Sequence, residues 1–183
     1  MKSWNRALVV SALSALLLAC DNNTPLMEKV VDQDTVAVRS MLNDGVEVDA
    51  RNSYGWTALM HAARQGQLEL MALLIDNGAE IDAQDDSGWT PLLRAVMKGH
   101  DDGVKLLLEN GANINHADKS GWTALHWAAQ RDNESTLHII HEAGADLNAQ
   151  NADGWTARMV AQNEGNIELA NLLHRWMRDS QGL

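Results

Sequence analysis

The sequence predicts an all-α solenoid of about five stacked helix–turn–helix repeats joined by β-turn and finger loops. Three observations point there. The tripeptide Gly-Trp-Thr stands at Gly55-Trp56-Thr57, Gly88-Trp89-Thr90, Gly121-Trp122-Thr123 and Gly154-Trp155-Thr156, each copy 33 residues after the one before. Between copies, apolar residues recur at helical spacing, as in Leu70, Leu73 and Leu74. A glycine recurs at the middle and near the end of most intervals, where a helix has to stop.

Aligned on the threonine, the repeats begin at Thr24, Thr57, Thr90, Thr123 and Thr156 and occupy about 24–52, 53–85, 86–118, 119–151 and 152–183. Thr before Pro or Ala suits a helix start, because its hydroxyl can accept from a free backbone amide and Pro fits the first turn. In repeat two this places a first helix over Ala58–Gln65, with Leu59, Ala62 and Ala63 inward. The alanines are small enough to let neighbouring helices approach closely. Gly66, Gly99 and Gly165 then end the first helices, while repeat four offers Asp132 and repeat one Gln33 at that position. A second helix is predicted over about Leu68–Asn77 and is closed by Gly78, with Gly45, Gly111 and Gly144 in the same role elsewhere. The polar finger that follows has one apolar anchor per repeat: Val48, Ile81, Ile114 and Leu147.

The ends differ from the middle, as the ends of a stack must when one face meets water. Repeat one has Asn22-Asn23 in place of Gly-Trp, and repeat five has Arg158 in place of the core Leu. Gly103 lies inside the second helix of repeat three and costs about 1 kcal/mol against Ala. Repeat four carries the polar run Asp132 to Thr136, so unfolding is expected to begin in this central segment.

The period, together with Thr90-Pro91-Leu92 and Thr123-Ala124-Leu125-His126-Trp127-Ala128, resembles the ankyrin repeat. The resemblance runs from about Thr24 to the C-terminus. It implies an ankyrin-repeat solenoid that binds another protein through the concave face formed by finger tips and first helices. Carried onto this chain, that face includes Trp56, Trp89, Trp122 and Trp155. It also includes the pairs that precede the helix ends, Arg64-Gln65, Met97-Lys98 and Gln130-Arg131.

The tryptophan row poses a question of use. A Trp buries roughly 150–250 Å² when covered, so four supply an area like one partner's share of a standard interface. Helices stacked about 8–10 Å apart would keep the four rings from stacking on one another directly. Scaffold packing and partner contact both remain open on the sequence. Arg64, Lys98 and Arg131 form a basic stripe within a chain of net charge −11.

The first residues carry Lys2 and Arg6, then an apolar run from Ala7. This order is that of an export signal. Leu17-Leu18-Ala19-Cys20 resembles the lipobox of bacterial lipoproteins. The resemblance implies a signal peptide over 1–19, acylation of Cys20, and a short tether over 20–23. It places the protein in the bacterial periplasm on a lipid anchor, and Asp21 favours the inner membrane. A partner would then be periplasmic or membrane-associated. The expected role is an adaptor or stabiliser; the alternative is an immunity or inhibitor protein that blocks a toxin or envelope enzyme.

Other chemistry finds little support. No stretch is basic enough to follow a phosphate backbone, which excludes nucleic acid as a partner. One cysteine excludes an internal disulfide and any C-x-x-C site. No Ser-His-Asp order, phosphate loop or zinc helix appears, so no catalytic residue, metal ligand set or cofactor is expected. His138 and His141 share a helix face but lack a third ligand. Asp49, Asp82, Asp85, Asp86 and Asp118 read as solvated finger tips.

Overall fold

A computed structural model describes residues 22–180. The expected leader, Cys20 and Asp21 lie outside the described residues. The described chain contains ten helices in five antiparallel pairs and no strand. They are α1 Pro25–Val31, α2 Thr35–Asn43, α3 Ala58–Gln65, α4 Leu68–Asp76, α5 Pro91–Lys98, α6 Asp101–Glu109, α7 Ala124–Gln130, α8 Glu134–Glu142, α9 Ala157–Asn163 and α10 Ile167–Ser180. The two helices expected in repeat two are present, the second one residue shorter than its sequence pattern.

The threonine caps explain the shared register. Thr24, Thr57, Thr90 and Thr156 accept from the backbone amide three residues on, at 3.3–3.4 Å. In repeat four, His126 at the third helical position completes the cap: its Nδ1 lies 3.2 Å from the Thr123 amide and 2.8 Å from the hydroxyl. Each first helix ends through a left-handed residue, at φ 69° for Gly66 and 71° for Gly99. Gln33 (60°) and Asp132 (55°) hold the same conformation without being glycine, the more costly choice expected for them.

The first helices α3, α5, α7 and α9 pack closely on one another, because Ala58, Ala62, Ala63, Ala95, Ala128, Ala129 and Ala161 are buried between them. The second helices α2, α4, α6 and α8 stand further apart. The stack therefore curves towards the first helices, which line its concave side. Its core is one continuous band from Leu26 to Leu173, as expected when no repeat can bury its apolar faces alone. Leu147 is buried in that band, while Val48, Ile81 and Ile114 pack on its edge.

Gly103 has a packing role that the helix pattern does not show. It is buried, and a Cβ built there would sit 3.4 Å from the Sδ and Cε of Met71 on α4. The gap between α4 and α6 is thus filled from the α4 side.

Candidate protein-interaction face

Each Gly-Trp-Thr turn is built around one Asn or Asp five residues before the threonine. Asn52 Oδ1 accepts from the Tyr54 and Trp56 amides, both at 3.0 Å. Asp85 does the same for Ser87 and Trp89 at 2.8 and 3.0 Å, and Asp118 for Ser120 and Trp122 at 2.8 and 3.1 Å. Asn151 holds Asp153 and Trp155 at 3.0 and 2.9 Å. Successive turns are then joined: the Lys119 amide donates to Ser87 O at 3.1 Å, and Ala152 to Ser120 O at 3.0 Å. Gly88 and Gly121 permit this approach, since a Cβ on either would lie within 3.0 Å of the next turn's backbone amide.

Of the finger aspartates, Asp86 is exposed as expected, but the other four are not simply solvated tips. Asp85 and Asp118 are buried turn acceptors. Asp49 accepts from the Glu80 amide, and Asp82 from that of Asn113, at 3.0 Å for their nearer oxygens, each reaching across one repeat. A carboxylate near free amides accepts hydrogen bonds that water would otherwise supply, which is why these acids recur without the spacing of a calcium loop.

The tryptophans project from these turns onto the concave side and, as expected, do not stack on one another directly. The gaps between them are filled by the residue four positions after the threonine. That residue is Arg94 in repeat three and Trp127 in repeat four. The Arg94 guanidinium lies 3.9 Å from the Trp56 ring centre and 4.5 Å from that of Trp89. Trp127 lies 4.7 Å from Trp89 and 4.6 Å from Trp122, with ring planes tilted by 45° and 40°. A continuous ladder results: Trp56, Arg94, Trp89, Trp127, Trp122. Both fillers are pinned by the turn acid nine residues before them. Arg94 forms an ion pair with Asp85 Oδ2, and the Trp127 indole donates to Asp118 Oδ2 at 3.2 Å. In repeat two the corresponding residue is His61, 4.8 Å from Trp56.

The match to family models decides the class. The model described as "Ankyrin repeats (3 copies)" matches residues 6–85, 26–118 and 73–151. This chain belongs to the ankyrin-repeat family. Proteins named "Ankyrin repeat, SAM and basic leucine zipper domain-containing protein 1" from Rhinolophus ferrumequinum and Oryctolagus cuniculus are 34% identical to it over 55 residues, 30% of this chain and 12% of theirs. The Carollia perspicillata protein of that name is 33% identical over 63 residues, 34% of this chain and 13% of its own. The chain thus spans about an eighth of these relatives' length. Ankyrin repeats are in general non-enzymatic modules for protein–protein interaction.

On this ankyrin stack the expected contact residues divide into two groups. Trp56, Trp89 and Trp122 are half-buried in the ladder, whereas Trp155 is 39% exposed. Arg64, Gln65, Lys98 and Arg131 are exposed, and Met97 and Gln130 half-exposed. The Arg131 guanidinium rests 2.9 Å from Met97 Sδ, so these two join across repeats three and four. The Arg64 guanidinium sits 5.6 Å from Trp56. Beside it, a cavity of about 300 Å³ opens between the fingers and α3, with Tyr54, Trp56, Arg94 and Asp86 in its wall.

The histidines divide by role. His126 is fully buried: its Nδ1 accepts at the Thr123 cap, so Nε2 carries the proton and donates to Trp155 O at 2.8 Å. That bond ties repeat four to repeat five, and burial pushes the imidazole below its usual pKa. His100 and His116 place Nε2 on the Arg64 and Gly88 carbonyls at 3.0 and 2.8 Å. His138 and His141 pack against Trp176, His141 stacked at 4.2 Å and His138 edge-on at 5.0 Å. Their shared face serves to dock the last helix.

Proposed function

We propose that this protein is a binding module that holds a partner protein on its concave ankyrin surface, as an adaptor or stabiliser. The observation that carries the reading is the ladder from Trp56 to Trp122. Arg94 and Trp127 fix the rings before any partner arrives, and the half-exposed edges that remain are a rigid aromatic surface. Rigid aromatic and Arg side chains lose little conformational entropy on binding, which makes them frequent binding hot spots.

A photo-crosslinking residue placed at Gln65 or Gln130, on the concave side, tests the reading against one placed at Glu69 on the outer helix α4. The concave positions are expected to capture a partner that the outer one does not. Equal capture from both sides would sink it. An immunity or inhibitor protein would use the same face and is recognised by loss of the captured partner's own activity.

The proposal includes a lipid anchor at Cys20 and a periplasmic location, supported by the Leu17-Leu18-Ala19-Cys20 sequence. The partner would then be periplasmic or membrane-associated. Labelling with a fatty-acid analogue checks the anchor: the label is expected on the wild type and absent from Cys20→Ala. A Cys20→Ala chain that still takes up the label would rule out the site.

A further inference from the structure

We infer that the occupant of the concave face is an extended, acidic segment of the partner, with one carboxylate held at Arg64 beside Trp56. The inference deepens the reading above and rests on it. It comes from how charge is divided between the two rows of helices. The concave helices α3, α5 and α7 contain Arg64, Arg94 and Lys98 and no Asp or Glu, and Arg131 caps α7. The outer helices α4, α6 and α8 contain Glu69, Asp76, Asp101, Asp102, Glu109, Glu134 and Glu142 against Lys105 alone among Lys and Arg. Within repeats two to four of a chain of net charge −11, the first helices thus carry base without acid, while the acids lie on the outer helices and on the fingers, at Asp82 and Asp86. A local positive field inside an acidic molecule steers an anionic partner to that face and repels it elsewhere.

The available cations can be separated from the committed one. Arg94 is neutralised by Asp85 and serves the ladder. Arg64, Lys98 and Arg131 are exposed, and none pairs with a carboxylate among the described residues. Arg64 is the best placed of the three, because it borders the cavity of about 300 Å³ with Trp56 and Tyr54 as apolar walls. Asp85 and Asp86 also line the cavity: Asp85 is paired with Arg94, and Lys119 Nζ donates to the Asp86 backbone carbonyl at 2.5 Å. A carboxylate entering from the Arg64 side therefore meets an open guanidinium and an indole.

Repeat geometry sets the spacing of the segment. Successive first helices lie about 8–10 Å apart. A polyproline-type chain advances about 3.1 Å per residue with three residues per turn, so every third side chain lies on one face about 9 Å on. Acidic residues at every third position would meet Arg64, Lys98 and Arg131 in turn.

The probe is a fluorescently labelled, end-blocked Glu-Pro-Pro repeat peptide, compared with Gln-Pro-Pro and Lys-Pro-Pro peptides of equal length. Its anisotropy is read with the full chain. The Glu peptide is expected to bind in a salt-dependent way and the other two not. Arg64→Gln should weaken binding about fivefold, the upper end for an exposed ion pair, and Lys98→Gln less. Lys105→Gln on the outer row should leave binding unchanged. Circular dichroism matched to wild type guards against a folding defect. The inference is overturned if the Glu peptide does not bind, if the Lys peptide binds as well, or if Lys105→Gln weakens binding as much as Arg64→Gln. Concave crosslinks to a basic or neutral partner segment would also overturn it while leaving the proposed function standing. Capture equal from both sides of the stack would remove both.

Discussion

The Trp127 indole is held by the Asp118 carboxylate, which accepts its Nε1 hydrogen at 3.2 Å while also anchoring the amide of Trp122. One acid therefore sets the turn of repeat four and fixes the ring that bridges it to repeat three. Trp127→Leu keeps helix propensity but removes two ring contacts and leaves Asp118 Oδ2 without its donor. The expected cost is about 3 kcal/mol, the lower end for losing a large aromatic side chain. Urea unfolding followed by far-ultraviolet circular dichroism measures it. A loss below about 1 kcal/mol would mean that the ladder adds little to the stack.

The Asp85–Arg94 pair allows a sharper test. The Asp85 side chain is 2% exposed and that of Arg94 15%. Arg94→Met strands a buried carboxylate and should cost about 3–5 kcal/mol. Adding Asp85→Asn should recover much of that loss, because Asn52 and Asn151 already build the same turn with an amide. A double variant less stable than Arg94→Met would show that the turn of repeat three needs the charge itself.

The stack was legible in the sequence because its determinants are local. Threonine caps and helix-ending glycines act within a few residues, and a strict 33-residue period repeats them. The ladder was less legible, since its fillers occupy the variable position of the motif and contact a tryptophan 38 residues away, as Arg94 does with Trp56. The signal was present as Arg94 and Trp127 standing four residues after Thr90 and Thr123, but no local rule says that this position faces the previous turn. Asp49 and Asp82 were misread for a related reason. Asp82 meets the Asn113 amide only after two repeats have stacked. Helix propensity alone places the first opening in repeats three and four, yet it omits the Trp89–Trp127 contact that joins them.

Gly103→Ala separates propensity from packing. Its Cβ would touch Met71 at 3.4 Å, a contact the flexible thioether can accommodate. The helix gains up to about 1 kcal/mol, so the thermal midpoint should rise. Gly66→Ala should do the opposite, because φ is 69° and the new Cβ would lie 2.7 Å from the His100 ring. Should both substitutions destabilise, the α4–α6 gap is tighter than the Met71 geometry implies.

His126 supplies a pH dependence whose sign follows from its burial. Its folded pKa lies below the ordinary value of about 6.5, chiefly through desolvation. The unfolded chain therefore binds the proton more readily, and stability rises with pH wherever the two states differ in protonation. The contribution is intact above about 6.5 and declines as pH falls from there towards the depressed folded value. Protonation also fills Nδ1, the acceptor for the Thr123 cap. His126→Leu copies the buried Leu93 at the same position of repeat three, loses the bond to Trp155 and should be less stable at neutral pH. Its stability should nevertheless fall less than that of the wild type between neutral and mildly acidic pH. Parallel pH profiles for the two proteins, taken from urea midpoints, would place the acid sensitivity elsewhere.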